Sequence, residues 1–359
     1  MHIRSIKFSN VRSFIKFECD FGENINLIYG QNGEGKTSVL EAIHTLSLAK
    51  SFRSGLRKNM VKEGEDSLNV LGKVVKSGEE KVFSYNIHKD KRKVLVDNVS
   101  VENLSELVGK FPTVVMSPED VDVVSGTGQT RRRFIDRIIS TVDKKYLSTI
   151  RKFEKIKKNR NRLFQTGKYE TLNVWNEQIA DTAIEIWKKR ESFITEFSLK
   201  FQTFWQENFP EVKIGVEYKK QQYSSKEKYL NRLAELFETE KKLKNTLVGP
   251  HKDDINFYWN SRNVKEYCSQ GEKKFLLTVV KLLEAQYIYQ KTQKKPVLLL
   301  DDLFAKLDIN RSKKVLSILI KNYQTIITTT DQQVEPLIKE FEEKVNFINI
   351  SEHKKKWKN

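Results

Sequence analysis

The spacing of apolar residues changes period twice along the chain. In the first 116 residues it is short and strand-like. "IRSIKF" (3–8) and "FIKFECDF" (14–21) alternate on either side of Ser9-Asn10-Val11-Arg12-Ser13, and "INLIYG" (25–30) is an apolar run ending on a glycine. "LNVLGKVV" (68–75), "KVFSYNIH" (81–88) and "KVLVDN" (93–98) then predict a meander, with Ser77-Gly78 and Lys89-Asp90 as turns. From about 127 to 208 the period becomes helical. Phe134, Ile138, Val142 and Tyr146 share one face, as do Leu172, Trp175, Ile179, Ala183 and Trp187, which predicts two or three long amphipathic helices. After "VGPHKDD" (248–254) strands return near "DINFYW", "PVLLLDD", "QTIITTTD" and "VNFINI", with helices between them. The pattern predicts an α/β fold. One head domain is assembled from 1–116 and 248–359, and a mostly helical domain, 117–247, is inserted into it.

Candidate chemistry sits where the strand "INLIYG" ends. Gly30-Gln31-Asn32-Gly33-Glu34-Gly35-Lys36-Thr37, followed by Ser38, fits the phosphate-loop pattern G-x-x-x-x-G-K-[ST]. Glycines let backbone N–H groups turn inward around phosphate oxygens, where a Cβ would obstruct. A helix starting near Lys36 directs its positive end at the same anion. Lys36 is expected to reach the outer phosphates of ATP and the Thr37 hydroxyl to ligate Mg²⁺. Far downstream, "VLLLDD" reads as a strand buried on both faces that ends in Asp301-Asp302. Asp301 is expected to hold Mg²⁺, through water or directly, and Asp302 to orient or activate the attacking water. Lys36, Asp301 and Asp302 are thus the candidate catalytic residues.

Composition narrows the class. The 359 residues carry 65 Lys+Arg against 47 Asp+Glu, a formal charge of +18 and a pI near 9.5, which favours a polyanionic partner, either nucleic acid or an acidic membrane surface. A lysine-rich habit spread over the whole chain is the alternative reading. The longest purely apolar run is Val297–Leu300, far short of the roughly 18 residues of a membrane helix. Cys19 and Cys268 are too few for a disulfide framework or a metal cluster. With no apolar leader core near Met1, these features predict a cytoplasmic protein.

The order of motifs resembles a known family. The phosphate loop, Ser269-Gln270-Gly271, the LLDD strand and an L-D-x-x-R turn (307–311) follow one another as in the ATP-binding-cassette superfamily, in its SMC-like branch of DNA-bound ATPases. Within that branch the chain resembles the RecF family of bacterial recombination-repair proteins along its whole length. "FSNVRSF" (8–14), "LAKSFRS" (48–54), "VGPHKDD" and "TTTD" (328–331) correspond to family stretches, and "SPEDVDVVSGTGQTRRRFID" (117–136) is the most specific of them. Three positions depart from the family habit: Gly128 stands in place of Pro or Ala, in what reads as a loop; Lys306 in place of Glu; Glu272 in place of Gln.

The resemblance implies an ATP-binding-cassette head, ATP and Mg²⁺ as cofactors, and an ATP-dependent homodimer that binds DNA, duplex or at single-strand/double-strand junctions. Slow, DNA-stimulated ATP hydrolysis would then act as a release switch. It also implies RecR- and RecO-type mediator partners and no membrane. In such ATPases the signature, here Ser269, Gln270 and Gly271, acts in trans on the nucleotide of a second subunit. DNA-contact candidates are Arg131 and Arg132, for which ion pairing on a helix face is the competing reading, and the strip containing Lys157, Lys158 and Arg160. For His251, hydrogen bonding between domains and coupling both stay open. A transporter ATPase would carry a fuller Leu-Ser-Gly-Gly-Gln signature and a switch histidine where Asp331 stands; a small-molecule kinase would have no use for Ser269 and Gly271.

Overall fold

A computed structural model describes residues 1–53, 57–89, 91–221, 223, 225–303, 309–330 and 345–355. Ser54, the turn at 304–308 containing Lys306, and Asp331 lie outside the described residues. The chain divides into two units, Met1–Asp120 with Gln270–Asn359, and Val121–Ser269.

The first unit contains two sheets. The antiparallel one has the order β2 (Phe14–Asp20), β1 (His2–Val11), β4 (Ser67–Lys76), β5 (Glu79–His88), β6 (Lys91–Val96), β7 (Val99–Ser100). It is the expected meander with β1 and β2 added at one edge. Its alternation buries Phe8, Phe14 and Phe17, with Phe8 stacked on Phe17 at 4.9 Å and Phe14 edge-on to both. The parallel sheet has the order β14 (Val345–Asn349), β3 (Ile25–Tyr29), β13 (Thr325–Thr329), β12 (Val297–Asp301), β8 (Thr113–Met116). Every residue of β8, β12 and β13 is buried, which is why these strands show no alternation. The short strand β8, "TVVM", carries too little pattern to be seen in the sequence. Gln324 ties the two sheets together, its side chain accepting from Ile3 N and donating to Ile3 O, each at 2.7 Å. Helix α1 (Lys36–Leu48) follows β3, and eleven of its residues are buried.

The second unit holds α2 (Asp122–Ser125), α3 (Gly128–Val142), α4 (Lys144–Thr166), α5 (Leu172–Asn208), α6 (Lys226–Glu235), α7 (Phe237–Leu243) and α8 (Val264–Tyr267). It also holds a three-stranded antiparallel sheet, in the order β11 (Arg262–Asn263), β10 (Asp254–Trp259), β9 (Ile214–Lys219). This shifts the expected boundaries. "DINFYW" pairs with β9 from Asp254↔Lys219 to Trp259↔Ile214, so 248–269 belongs with the helices rather than with the head, and 117–120 belongs with the head. Alternation shows which face of a strand is buried, not which strand lies beside it.

A polar centre fixes the second unit. Buried Arg190 donates to both oxygens of Asp136, each at 2.9 Å, to Asp253 Oδ2 at 3.0 Å and to Pro250 O at 2.5 Å. Asp253 also accepts from Trp187 Nε1, Tyr218 Oη and Gln221 N, and Tyr146 Oη donates to Asp136. Burial, and then the Asp136 and Asp253 charges, push the Tyr146 and Tyr218 phenols well above their ordinary value. Such a network is tolerable inside a protein only because its charges face partners.

Candidate functional site

The expected phosphate loop joins β3 to α1. Gly30, Gly33 and Gly35 have φ of 152°, 80° and 94°, conformations that L side chains rarely adopt. A Cβ on Gly35 would strike the Phe14 ring, whereas one on Gly33 would meet nothing within 4 Å. Gly35 is therefore required by packing and Gly33 leaves the concave side of the loop open. Glu34 braces the loop from outside, accepting from Gln31 N and from Ser351 Oγ of the helix Ile350–Lys355, each at 2.7 Å. Lys36 is buried, with Nζ donating to Gly30 O and Gln31 O at 2.8 Å. Burial lowers its pKa, opposed by the charges of Glu34, Asp301 and Asp302.

Three strand ends converge beside the loop. In the sheet order β3-β13-β12, the strand carrying the loop and the strand carrying the aspartates flank β13. Thr37 Oγ1 lies 2.9 and 3.0 Å from the two oxygens of Asp301, although 264 positions separate them in sequence. Thr328 Oγ1, from β13, donates to Asp301 Oδ1 at 2.5 Å. Asp301 is 8% exposed, so its carboxylate is aimed at this cluster rather than at bulk water. Asp302 follows in the left-handed region, φ 51°, its N–H bonded to Thr328 O and Oγ1, both at 3.1 Å. A hydroxyl and a carboxylate beside a glycine-rich anion cradle form a hard oxygen donor set, which suits Mg²⁺ bound partly by the protein and partly by phosphate oxygens. Among the described residues no cluster of three or more His, Cys, Asp or Glu side chains offers a metal cage.

These groups open on a cleft of about 410 Å³. Asn32, Gly33, Gly35, Lys36, Thr37 and Ser38 line it together with Asp301 and Asp302, while Gly30, Gln31 and Glu34 form the base of the loop instead. Sequence reasoning missed Arg12, Arg53 and Pro118, which also line the cleft. Arg12 is held by a bidentate pair with Glu41, at 2.7 and 2.9 Å, and by Asn59 O. All three fall in stretches noted above as family-like, yet no spacing rule singles them out.

Gln270 and Gly271 open the helix α9 (Gln270–Thr292). The helix thus begins at the signature itself, and Ser269 and Gln270 are exposed. Glu272 lies in its first turn.

Two of the DNA-contact candidates, Arg131 and Arg160, are corrected by their surroundings. Arg131 is 6% exposed and pairs bidentately with Asp254, both bonds 2.9 Å. Arg160 is 1% exposed and bonds Glu240 at 2.5 Å, Asn176 and Thr246. Arg132 is half-buried against Asp253 O. A charge enclosed by its own partners cannot also neutralise a phosphate chain. Lys157 is paired with Glu154 at 2.8 Å and lies over the Phe153 ring. Lys158 is exposed, on a face of α4 shared with Arg151, Lys155 and Arg162, with Lys152 beside it; no ion pair joins any of these five among the described residues. Gly128 is the first residue of α3, not a loop residue, and a Cβ there would come within 2.9 Å of Arg132 Nη1 and Asp254 Oδ1. His251 lies wholly within the second unit's bonding, with Nε2 3.0 Å from Thr246 O.

Known proteins share this architecture. The family model described as "RecF/RecN/SMC N terminal domain" matches residues 2–356. The "DNA replication and repair protein RecF" of Exiguobacterium sp. is 32% identical, with 92% of this chain and 93% of the relative covered. Its namesake from Thermoanaerobacter sp. (strain X514) is 30% identical, with 93% and 95% covered. A solved structure of the recombination mediator protein RecF with ATP, in the RecFOR pathway, superposes with a TM-score of 0.84 at 31% identity and 92% coverage of each chain. The Smc head domain of Pyrococcus furiosus shares the fold at a TM-score of 0.53 and 15% identity. The chain belongs to the RecF/RecN/SMC N-terminal domain family and, within it, to the RecF proteins.

Proposed function

We propose that this chain is an ATP-switched DNA-binding protein of replication and repair, in which ATP closes two copies on DNA and slow hydrolysis releases them. The observation that carries the reading is the meeting of Thr37 with Asp301 beside an open glycine loop. Lys36 would neutralise the outer phosphates of ATP, and Thr37 and Asp301 would hold Mg²⁺, which when bound supplies charge compensation at those phosphates. Asp302 would orient the attacking water; it is one methylene shorter than glutamate, and we assign slow turnover to it. Ser269 and Gly271 of a second copy would cap the γ-phosphate with a hydroxyl, a bare N–H and the positive end of α9.

DNA would run along the outer face of α4. Arg151, Lys155, Lys158 and Arg162 recur at helical spacing over about 17 Å. Contacts of this type read phosphates and not bases, so binding would be largely indifferent to sequence. The solved RecF structures, described as belonging to the RecFOR pathway, support mediator partners of the RecR and RecO type. Among the described residues no helix is long and apolar enough to cross a membrane.

The test is solution mass in four conditions: with neither ligand, with ATP, with duplex DNA, and with both. The expected result is a doubling of mass that requires ATP and is lost in Lys36→Met. A mass that ignores ATP in wild type would refute the switch.

A further inference from the structure

We propose that Lys274 is a positioning residue for Asp302, and that through it α9 makes the two nucleotide sites of a closed dimer interdependent. The inference deepens the function proposed above and rests on the reading of Asp302 as the water-orienting group. Lys274 is 8% exposed, and its Nζ donates to Asp302 O at 2.5 Å. The opposite end of that residue is held as well, Asp302 N–H bonding Thr328 O and Oγ1. Residue 302 therefore has both backbone polar groups fixed by other elements, and it adopts φ 51°, which a residue with a Cβ seldom takes unless it is over-determined. That backbone conformation decides where the Asp302 carboxylate points into the cleft.

The position of Lys274 on its helix gives the bond a second meaning. Gly271 and Lys274 are three residues apart at the start of α9, less than one turn, within a continuous helix of 23 residues. Seven residues beyond Lys274, on the same face, Lys281 is 1% exposed and lies 3.3 Å from Asp120 Oδ2, a carboxylate that also accepts from Ser117 N. Pro118, within that same turn, lines the cleft. One rigid helix thus holds two walls of its own subunit's cleft by buried ammonium groups, while its first residues are those we assign to the nucleotide of a second subunit. A displacement at Gly271, caused by the partner's γ-phosphate, moves Lys274 and with it the Asp302 turn. Each subunit's hydrolytic carboxylate then responds to occupancy of the other subunit's site.

The test compares Lys274→Met with Lys274→Arg in the full chain, by ATP titration of the hydrolysis rate and by separate measurement of nucleotide affinity. For Lys274→Met we expect kcat to fall about tenfold or more while the ATP dissociation constant stays within about twofold, and ATP-dependent association to persist. The Hill coefficient of the rate should drop to about 1 from a wild-type value above it. Lys274→Arg, which keeps charge and donor, should recover most of kcat. In an Asp302→Asn background Lys274→Met should cost nothing further, because both changes remove one function. Wild-type kcat and Hill coefficient in Lys274→Met would overturn the proposal. So would a full additional loss in the Asp302→Asn background, or an equal fall in affinity and rate. Should Lys274→Met fail to fold, Lys274→Gln carries the same measurements. A wild-type chain that binds ATP but never hydrolyses it would show instead that the underlying reading of Asp302 has failed, and the inference would fall with it.

Discussion

His251 shows how one side chain can set the acid limit of a fold. Its Nε2 is engaged by Thr246 O, its Nδ1 is buried without a hydrogen-bond partner among the described residues, and its ring faces Phe153 at 5.9 Å. Burial pushes its pKa down to about 3, the Thr246 bond opposing and the charges of Lys157, Lys252 and Arg132 adding to the fall. The imidazole is therefore neutral in the folded state and free to protonate in the unfolded chain below its ordinary value near 6.5. The unfolded state then binds more protons, so the contribution is complete above about pH 6.5 and is lost as pH falls from there towards 3, with a slope of up to about 1.4 kcal/mol per pH unit. Urea unfolding at pH 7, 6 and 5 should show wild type losing about 2 kcal/mol between pH 7 and 5 relative to His251→Gln. Parallel stability curves for the two proteins would refute a buried neutral imidazole. The same scale separates what the sequence makes legible from what it hides. Gly35, Lys36 and Thr37 obey a spacing rule because phosphate geometry imposes one, and Asp301 shows itself as the polar end of a wholly apolar strand. Arg131, Arg160 and Arg190 obey none: an arginine on a helix looks alike in sequence whether it meets water or Asp254, Glu240 or Asp136.

At the scale of elements, α4 carries the clearest division of labour. Its buried stripe, Tyr146, Thr149, Phe153, Ile156, Arg160 and Phe164, keeps helical period, and Arg160 takes a place in that stripe by virtue of Glu240. The opposite face is basic. Changing Lys155, Lys158 and Arg162 together to Glu should weaken duplex binding at least about tenfold at moderate salt and reduce the slope of log affinity against log salt by about 2 to 3. Arg160→Gln should instead lower the unfolding midpoint, since it leaves the Glu240 carboxylate buried and uncompensated. Fluorescence anisotropy over a salt series separates the two; an unchanged slope in the triple variant would exclude this face as the DNA track. Long helices such as α3, α4 and α5 were legible because each repeats its period many times. The strands β8 and β9 were not: β8 is four buried residues with no alternation to read, and the six residues of β9 repeat a period of two too few times to stand out.

At the scale of the whole molecule, each proposed nucleotide site needs two copies of the chain. Ser269→Arg should leave ATP binding by the monomer nearly intact and abolish ATP-dependent association, because the side chain is exposed in one copy but would collide with the γ-phosphate held by another. Mixing Ser269→Arg with Lys36→Met should restore part of the hydrolysis, since every mixed pair keeps one site with an intact loop and an intact signature. Loss of ATP binding by the Ser269→Arg monomer would mean that the signature acts in its own subunit. The order of strands has a further consequence, in time. The strand that carries the phosphate loop, β3, has as its two neighbours β13 and β14, which follow it by about 300 residues and are the last strands among the described residues. The antiparallel meander, by contrast, pairs segments all within the first 100 residues. During synthesis, at about 5–20 residues per second, the meander can form early, while β3 waits tens of seconds, unpaired on both edges, until residues 325–349 emerge. Asp301 and Thr328 arrive in the same late interval. A nascent chain therefore assembles the proposed nucleotide site only once β13 and β14 have been made, and a copy cut short before β13 is expected to bind no ATP.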